Sequence, residues 1–190
     1  MFGYYFFLIA NFIIIAAMFW FLYIVIKLFI SEEYRKSPPF VPSFGNEKVA
    51  MIKEVRTVLK NSQKQLVILD PGCGIGTLLL RLAKDFPNHK FVGIEWNKVV
   101  AGICSIRAWR LKNLKIISDD MFNHDFGKAD LIVCFLLPEM LDRFGKKLLN
   151  DRKKPQIVFS NSFQIPNLKL EREIKTGRGI LFKNIYVYRL

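Results

Sequence analysis

From Tyr4 to Ile30 the chain is apolar except at Asn11 and Lys27, and this run constrains the fold more than any other feature. As a helix rising ~1.5 Å per residue, about 25 residues reach ~38 Å, enough to cross a ~30 Å hydrocarbon core with some tilt. A helix buried in a soluble core would need polar residues recurring on one face, and none recur. Tyr4, Tyr5, Trp20 and Tyr23 suit a membrane segment, with Tyr4 and Tyr5 at an interface. A cleaved signal peptide would show a basic leader, a shorter apolar run and a small-residue cleavage site, and a mitochondrial presequence would be Arg-rich and amphipathic; the segment is neither. Lys27, Arg35 and Lys36 lie at or beyond its end and no basic side chain precedes it. Residues 4–30 are therefore expected to anchor the protein in a bilayer, with the remainder cytoplasmic, or facing the matrix in a mitochondrion.

Lys27 is the only charged residue of 1–30, so residues 31–190 carry 28 of the 29 basic side chains and all 16 acidic ones, a net +12. A domain this basic is drawn to anionic surfaces, whether lipid head groups, nucleic acid or acidic proteins. The three cysteines, Cys73, Cys104 and Cys134, are odd in number and match no zinc or CxxC spacing, which points to a reduced compartment and no metal. Each reads as a small packing residue.

Residues 31–45 hold three prolines and a glycine and are expected to be a Pro-rich linker or lid. A helix follows over 46–60, with Val49, Ile52, Val55 and Leu59 as its apolar stripe. Strands are expected at 66–70, 90–96, 114–118, 130–137 and 156–162, and helices at 76–86, 97–112 and 139–149. Residues 168–175 and 180–188 read as a closing antiparallel pair with a turn at Gly177–Gly179. Five β-then-α units before a final hairpin imply an α/β fold: a mostly parallel, Rossmann-like sheet over 46–190, covered by helices on both faces. Ligands of such sheets bind at the carboxyl ends of the strands.

At those ends stand the chemistry-bearing residues. LDPGCGIGTLLL (69–80) places Asp70, Gly72, Cys73, Gly74 and Gly76 between a strand and a helix. No Gly-Lys-Ser/Thr follows, so it is not a phosphate P-loop, and Thr77 breaks the dinucleotide G-x-G-x-x-G. Its D-x-G-x-G-x-G spacing resembles motif I of class I methyltransferases. Glu95 ends the second strand, where a carboxylate can accept both hydroxyls of a ribose. Trp96 offers a flat face for adenine. At the end of the third strand Asp120 can take the adenine amino group, ahead of Asp119, and the N–H of Met121 a ring nitrogen. Each has an ordinary reading too: a solvated turn acid, a packing Trp, a helix cap. Their coincidence at successive strand ends carries the weight.

PFVPSF (39–44), the glycine loop, GIEWN (93–97) and FLLPEML (135–141) resemble a family of single-pass membrane protein-lysine methyltransferases. Its eukaryotic members act in mitochondria on the c-ring protein of ATP synthase and on the adenine nucleotide translocase. The resemblance runs over essentially the whole chain. It implies S-adenosyl-L-methionine as cofactor and a membrane protein with an acceptor lysine as partner. Glu139, just after the fourth strand, is then the carboxylate placed to position the amine, or simply a first-turn acid favoured by the helix dipole. Phe40 and Phe135 would wall the methyl channel. The Asn/Asp-Pro-Pro-Tyr/Phe sequence of nucleic-acid amino-methylating enzymes is absent, since that place reads Leu137-Pro138-Glu139-Met140. The same residues are also compatible with a lipid or quinone acceptor, and with a non-catalytic cofactor-binding module.

Overall fold

The computed structural model describes residues 2–30, 46–176 and 184–190. The expected linker or lid at 31–45, Phe40 within it, and the expected turn at Gly177–Gly179 lie outside the described residues. Two compact units divide the chain, Met1–Pro39 and Phe40–Leu190.

The first unit holds α1, Phe2–Ile30, an unbroken helix. Its stretch Tyr5–Ile24 has a mean hydropathy of 2.4 and is long and apolar enough to cross a membrane. Asn11 does not interrupt it, because its side-chain amide donates to the carbonyl of Phe7 one turn back, at 2.8 Å, and so finds a partner within the helix.

In the second unit α2 (Asn46–Asn61) precedes β1 (Val67–Pro71), α3 (Thr77–Asp85), β2 (Lys90–Glu95), α4 (Lys98–Ala108), β3 (Leu114–Ser118), β4 (Leu131–Cys134), α5 (Pro138–Asp151), β5 (Ile157–Asn161), β6 (Leu170–Ile174) and β7 (Ile185–Arg189). The strands form one seven-stranded sheet in the order β3-β2-β1-β4-β5-β7-β6. The first five are parallel, and β7 runs antiparallel between β5 and β6. Sheet order reverses beside β1, which opens the crevice such sheets use for ligands.

Alternate strand residues feed two cores. Ile68, Phe91, Leu131, Val133 and Phe159 face α2 and α3, through Val55, Leu59, Leu79 and Leu82. Leu69, Ile94, Ile132, Cys134 and Val158 face α5, through Leu141, Phe144 and Leu148. Burial on both faces is what the near-continuous apolar strands require.

Four expectations need correction. Val49 is 65% exposed, and Met51 is buried instead; at 100° per residue Val49 lies roughly 90° from the centre of the Ile52, Val55, Leu59 stripe. The fourth strand stops at Cys134 rather than 137. Leu136 is buried under a loop rather than in the sheet, and an apolar run does not distinguish the two. α4 ends at Ala108, closed by a tight turn from the Trp109 N–H to the Ile106 carbonyl. Of the five parallel strands, β1, β2 and β4 are followed by α-helices: β3 leads into two short 3-10 turns, Met121–Asn123 and Phe126–Lys128, and β5 leads to β6 without a helix.

Candidate active site

At the carboxyl edge, Gly72, Gly74 and Gly76 all adopt positive φ, at 90°, 57° and 73°. Gly76 is the most constrained: any side chain would be strained at that φ, and a Cβ there would lie 2.3 Å from Cys104 Sγ. Gly93 in β2, level with Asp70, clears space for the loop, since its Cβ would meet Cys73 Sγ at 2.7 Å. Nothing in the stretch GIEWN marks Gly93 for that role; only the pairing of β2 with β1 does.

The loop is tied to β2. The N–H groups of Gly72 and Cys73 donate to the Ile94 carbonyl at 2.7 and 3.0 Å. Gly74 N–H donates to Glu95 Oε2 at 2.9 Å, and Asn97 N–H to Glu95 Oε1 at 2.9 Å. Glu95 is therefore a brace for the loop as well as a strand-end acid. Each carboxylate oxygen has two acceptor sites, so both retain capacity for a further donor. Asn97 caps α4 through its side-chain oxygen, and Trp96 between them is 40% exposed.

Asp70 is buried. Loss of solvation, and next the nearby charges of Glu95 and Cys104, push its carboxyl up to about 8, so it is neutral at pH 7 in the absence of a cation. The Cys73 thiol is pushed up by its hydrogen bond with Cys104 and by burial. Burial likewise holds Cys134 up at about 12. Both shifts keep the Cys73 and Cys134 thiols in their neutral form.

After β3, Asp120 caps the first 3-10 turn by accepting from Phe122 N–H at 3.0 Å, the cap reading of that acid. Its neighbour Asp119 is occupied by Asn123, the Asp120 N–H and His124, which hold its carboxyl below the usual range, Asn123 foremost. Met121 is buried.

After β4, Leu136 abuts the glycine loop: a Cβ at Gly72 would lie 3.3 Å from its Cδ2. Phe135 is half-buried, and Glu139 is exposed in the first turn of α5, which opens with Pro138. β5 ends beside this loop with Asn161, buried, followed by Ser162 at φ 71°, a left-handed conformation uncommon outside glycine. Nothing local in the sequence marks Leu136, Asn161 or Ser162; the parallel register of β4 and β5 places them. The structure thus gathers Asp70, Gly72, Cys73, Gly74, Gly76, Glu95 and Trp96 around one loop, with Asp120, Met121, Phe135 and Glu139 following neighbouring strands on the same edge.

This arrangement fits an adenosine-bearing cofactor. A backbone loop open at Gly72, an acid with spare acceptor capacity and a half-exposed indole adjoin one another. The sheet resembles an RNA methyltransferase from Salinibacter ruber solved with S-adenosyl-L-homocysteine, at a TM-score of 0.66 and 18% identity over 78% of this chain and 93% of that one, a likeness of fold. In sequence the chain is 29% identical to a protein-lysine N-methyltransferase of Saccharolobus islandicus over 79% of its length and 92% of that protein. It is 27% identical to the ATP synthase c-subunit lysine N-methyltransferase of Xenopus laevis over 77% of its length and 63% of that protein. Residues 70–172, more than half of the chain, match the profile of the ANTKMT methyltransferase domain. From the first acid of the glycine loop to the closing strands, the chain belongs to that family, and it is an S-adenosylmethionine-dependent methyltransferase.

Proposed function

We propose that this methyltransferase modifies the ε-amine of a lysine in an integral membrane protein, from a domain held on the cytoplasmic or matrix side of the bilayer. Two related proteins carry lysine methyltransferase names. The observation that carries the membrane substrate is the helix Tyr5–Ile24, long and apolar enough to cross a membrane. A tethered domain meets a membrane-resident acceptor at raised effective concentration, an advantage no soluble acceptor shares.

S-adenosylmethionine supplies, when bound, a methyl group on a positively charged sulfur. In the proposed site Gly72, Cys73, Gly74 and Gly76 hold the cofactor by their backbone, Glu95 takes the ribose hydroxyls, and Trp96 covers the adenine. Asp120 receives the adenine amino group, and Met121 N–H a ring nitrogen. Asp70 ionises when a cation adjoins it, since opposite charge favours the carboxylate. The incoming lysine must shed its proton, which an apolar approach promotes by desolvating the ammonium. Glu139 orients the amine and accepts that proton, with Phe135 as an apolar wall. These groups work mainly by alignment.

The test is transfer of labelled methyl groups from S-adenosylmethionine into membrane extracts, followed by sorting of the label. Label on lysine of an integral membrane protein is the expected result. Label in lipid or quinone, or in RNA, would transfer the activity to those acceptors. Cofactor binding without any label would leave a binding module. Protease added to right-side-out vesicles should spare residues 46–190, and digestion would reverse the orientation.

A further inference from the structure

Helix α4 is apolar on both sides. Ala101, Cys104 and Ala108 are buried against the sheet. Directly opposite, Val99, Ile103 and Ile106 are between 45% and 73% exposed, and Trp109, just beyond the helix, is 72% exposed. At 100° per residue, 99, 103 and 106 fall within roughly 60° of one another, so they form one stripe.

The stripe is framed by cations. Residues 97–118 contain no acid and carry Lys98, Arg107, Arg110, Lys112 and Lys115. The Arg110 guanidinium stacks 4.6 Å from the Trp109 ring centroid, which keeps a positive charge over the exposed indole. The positive field continues onto α2, where partial burial and then Arg107 and Arg81 hold the Lys48 ammonium below the usual lysine range.

We infer that this face of α4 lies on an anionic bilayer surface, with Val99, Ile103, Ile106 and Trp109 entering the head-group boundary and the surrounding lysines and arginines meeting lipid phosphates. An apolar stripe with Trp and flanking cations is the composition of a helix lying in the membrane interface. The absence of acids supplies the charge complementarity. The 15 residues between Ile30 and Asn46 span at most about 50 Å, so an anchored α1 would keep this face within reach of lipid. The contact has a route to the active site: Arg107 donates to the carbonyl of Ile75, between Gly74 and Gly76, at 2.5 Å. This inference rests on the reading of α1 as an anchor, and carbonate extraction tests that reading separately.

The experiment uses the full chain in vesicles of phosphatidylcholine with and without phosphatidylserine, doped with lipid brominated near the head group. Emission of the wild type minus that of Trp109→Phe isolates Trp109 from Trp20 and Trp96. In phosphatidylserine vesicles at moderate salt the Trp109 emission should shift to the blue and fall about two-fold or more, as expected for a ring seated at the interface. The loss should shrink in pure phosphatidylcholine and at high salt. Ile106→Glu with Val99→Glu, both on exposed positions, should abolish it while cofactor binding and carbonate resistance persist. Water-exposed, unquenched Trp109 in anionic vesicles would overturn the inference, as would shielding that needs a protein partner. Equal quenching in neutral lipid would overturn the role of the cations.

Discussion

Replacing Asp70 by Asn tests whether the buried acid is neutral in the folded protein. In the native state its carboxyl is raised from the ordinary value of 3.8 to about 8, by burial first and then by Glu95 and Cys104. Unfolded, it ionises above pH ~4. Between these values the folded protein holds a proton that the unfolded chain has lost, so stability falls as pH rises, by ~1.4 kcal/mol per unit. From pH 5 to pH 8 the loss is on the order of 4 kcal/mol, levelling off above the folded value. Asn does not titrate. The stability of Asp70→Asn minus that of the wild type should therefore grow with pH across this window, whatever its offset at pH 5. Urea unfolding of the detergent-solubilised full chain at pH 5, 6, 7 and 8 gives this difference, and subtraction cancels the other titrating groups. In melting temperature it amounts to roughly 8–16 °C, at ~2–4 °C per kcal/mol for a chain of this size. A difference that stays flat, or shrinks as pH rises, would refute the argument.

The same proton links to the cofactor: affinity for S-adenosylmethionine should rise from pH 6 to pH 8 by up to about tenfold per unit, read by calorimetry, and lose this dependence in Asp70→Asn. Glu95→Ala removes the acceptor of Gly74 and Asn97 N–H and should abolish cofactor binding in a folded protein; wild-type affinity would remove Glu95 from the site. Gly76→Ala should cost ~1–3 kcal/mol in chemical unfolding through its φ of 73° and its clash with Cys104 Sγ, with Cys104→Ala restoring part of the loss. Glu139→Ala, at an exposed first-turn position, should lower kcat well beyond any change in cofactor Kd, with less than about 1 kcal/mol lost in stability.

Local chemistry legible along the chain determined much of this protein. A run of apolar residues with two polar interruptions has only one regular form, and the strand-to-helix switches at the glycine loop and at Glu95 follow from periodicity and turn residues. What only the tertiary structure decided depends on neighbours distant in sequence. Val49 is apolar yet exposed, because the sheet chose Met51 for the core. Cys134 ends its strand although three apolar residues follow, because Leu136 packs beneath the loop at Gly72. Glu95 doubles as the brace of the loop 21 residues earlier, which requires β1 and β2 to lie in parallel register. Asn161 and Ser162 reach the same edge because β5 pairs with β4. The ionisation of Asp70 is likewise tertiary: an Asp in the sequence carries the ordinary carboxylate value, and only burial beside Glu95 raises it, because desolvation and field depend on what surrounds a group and not on what precedes it.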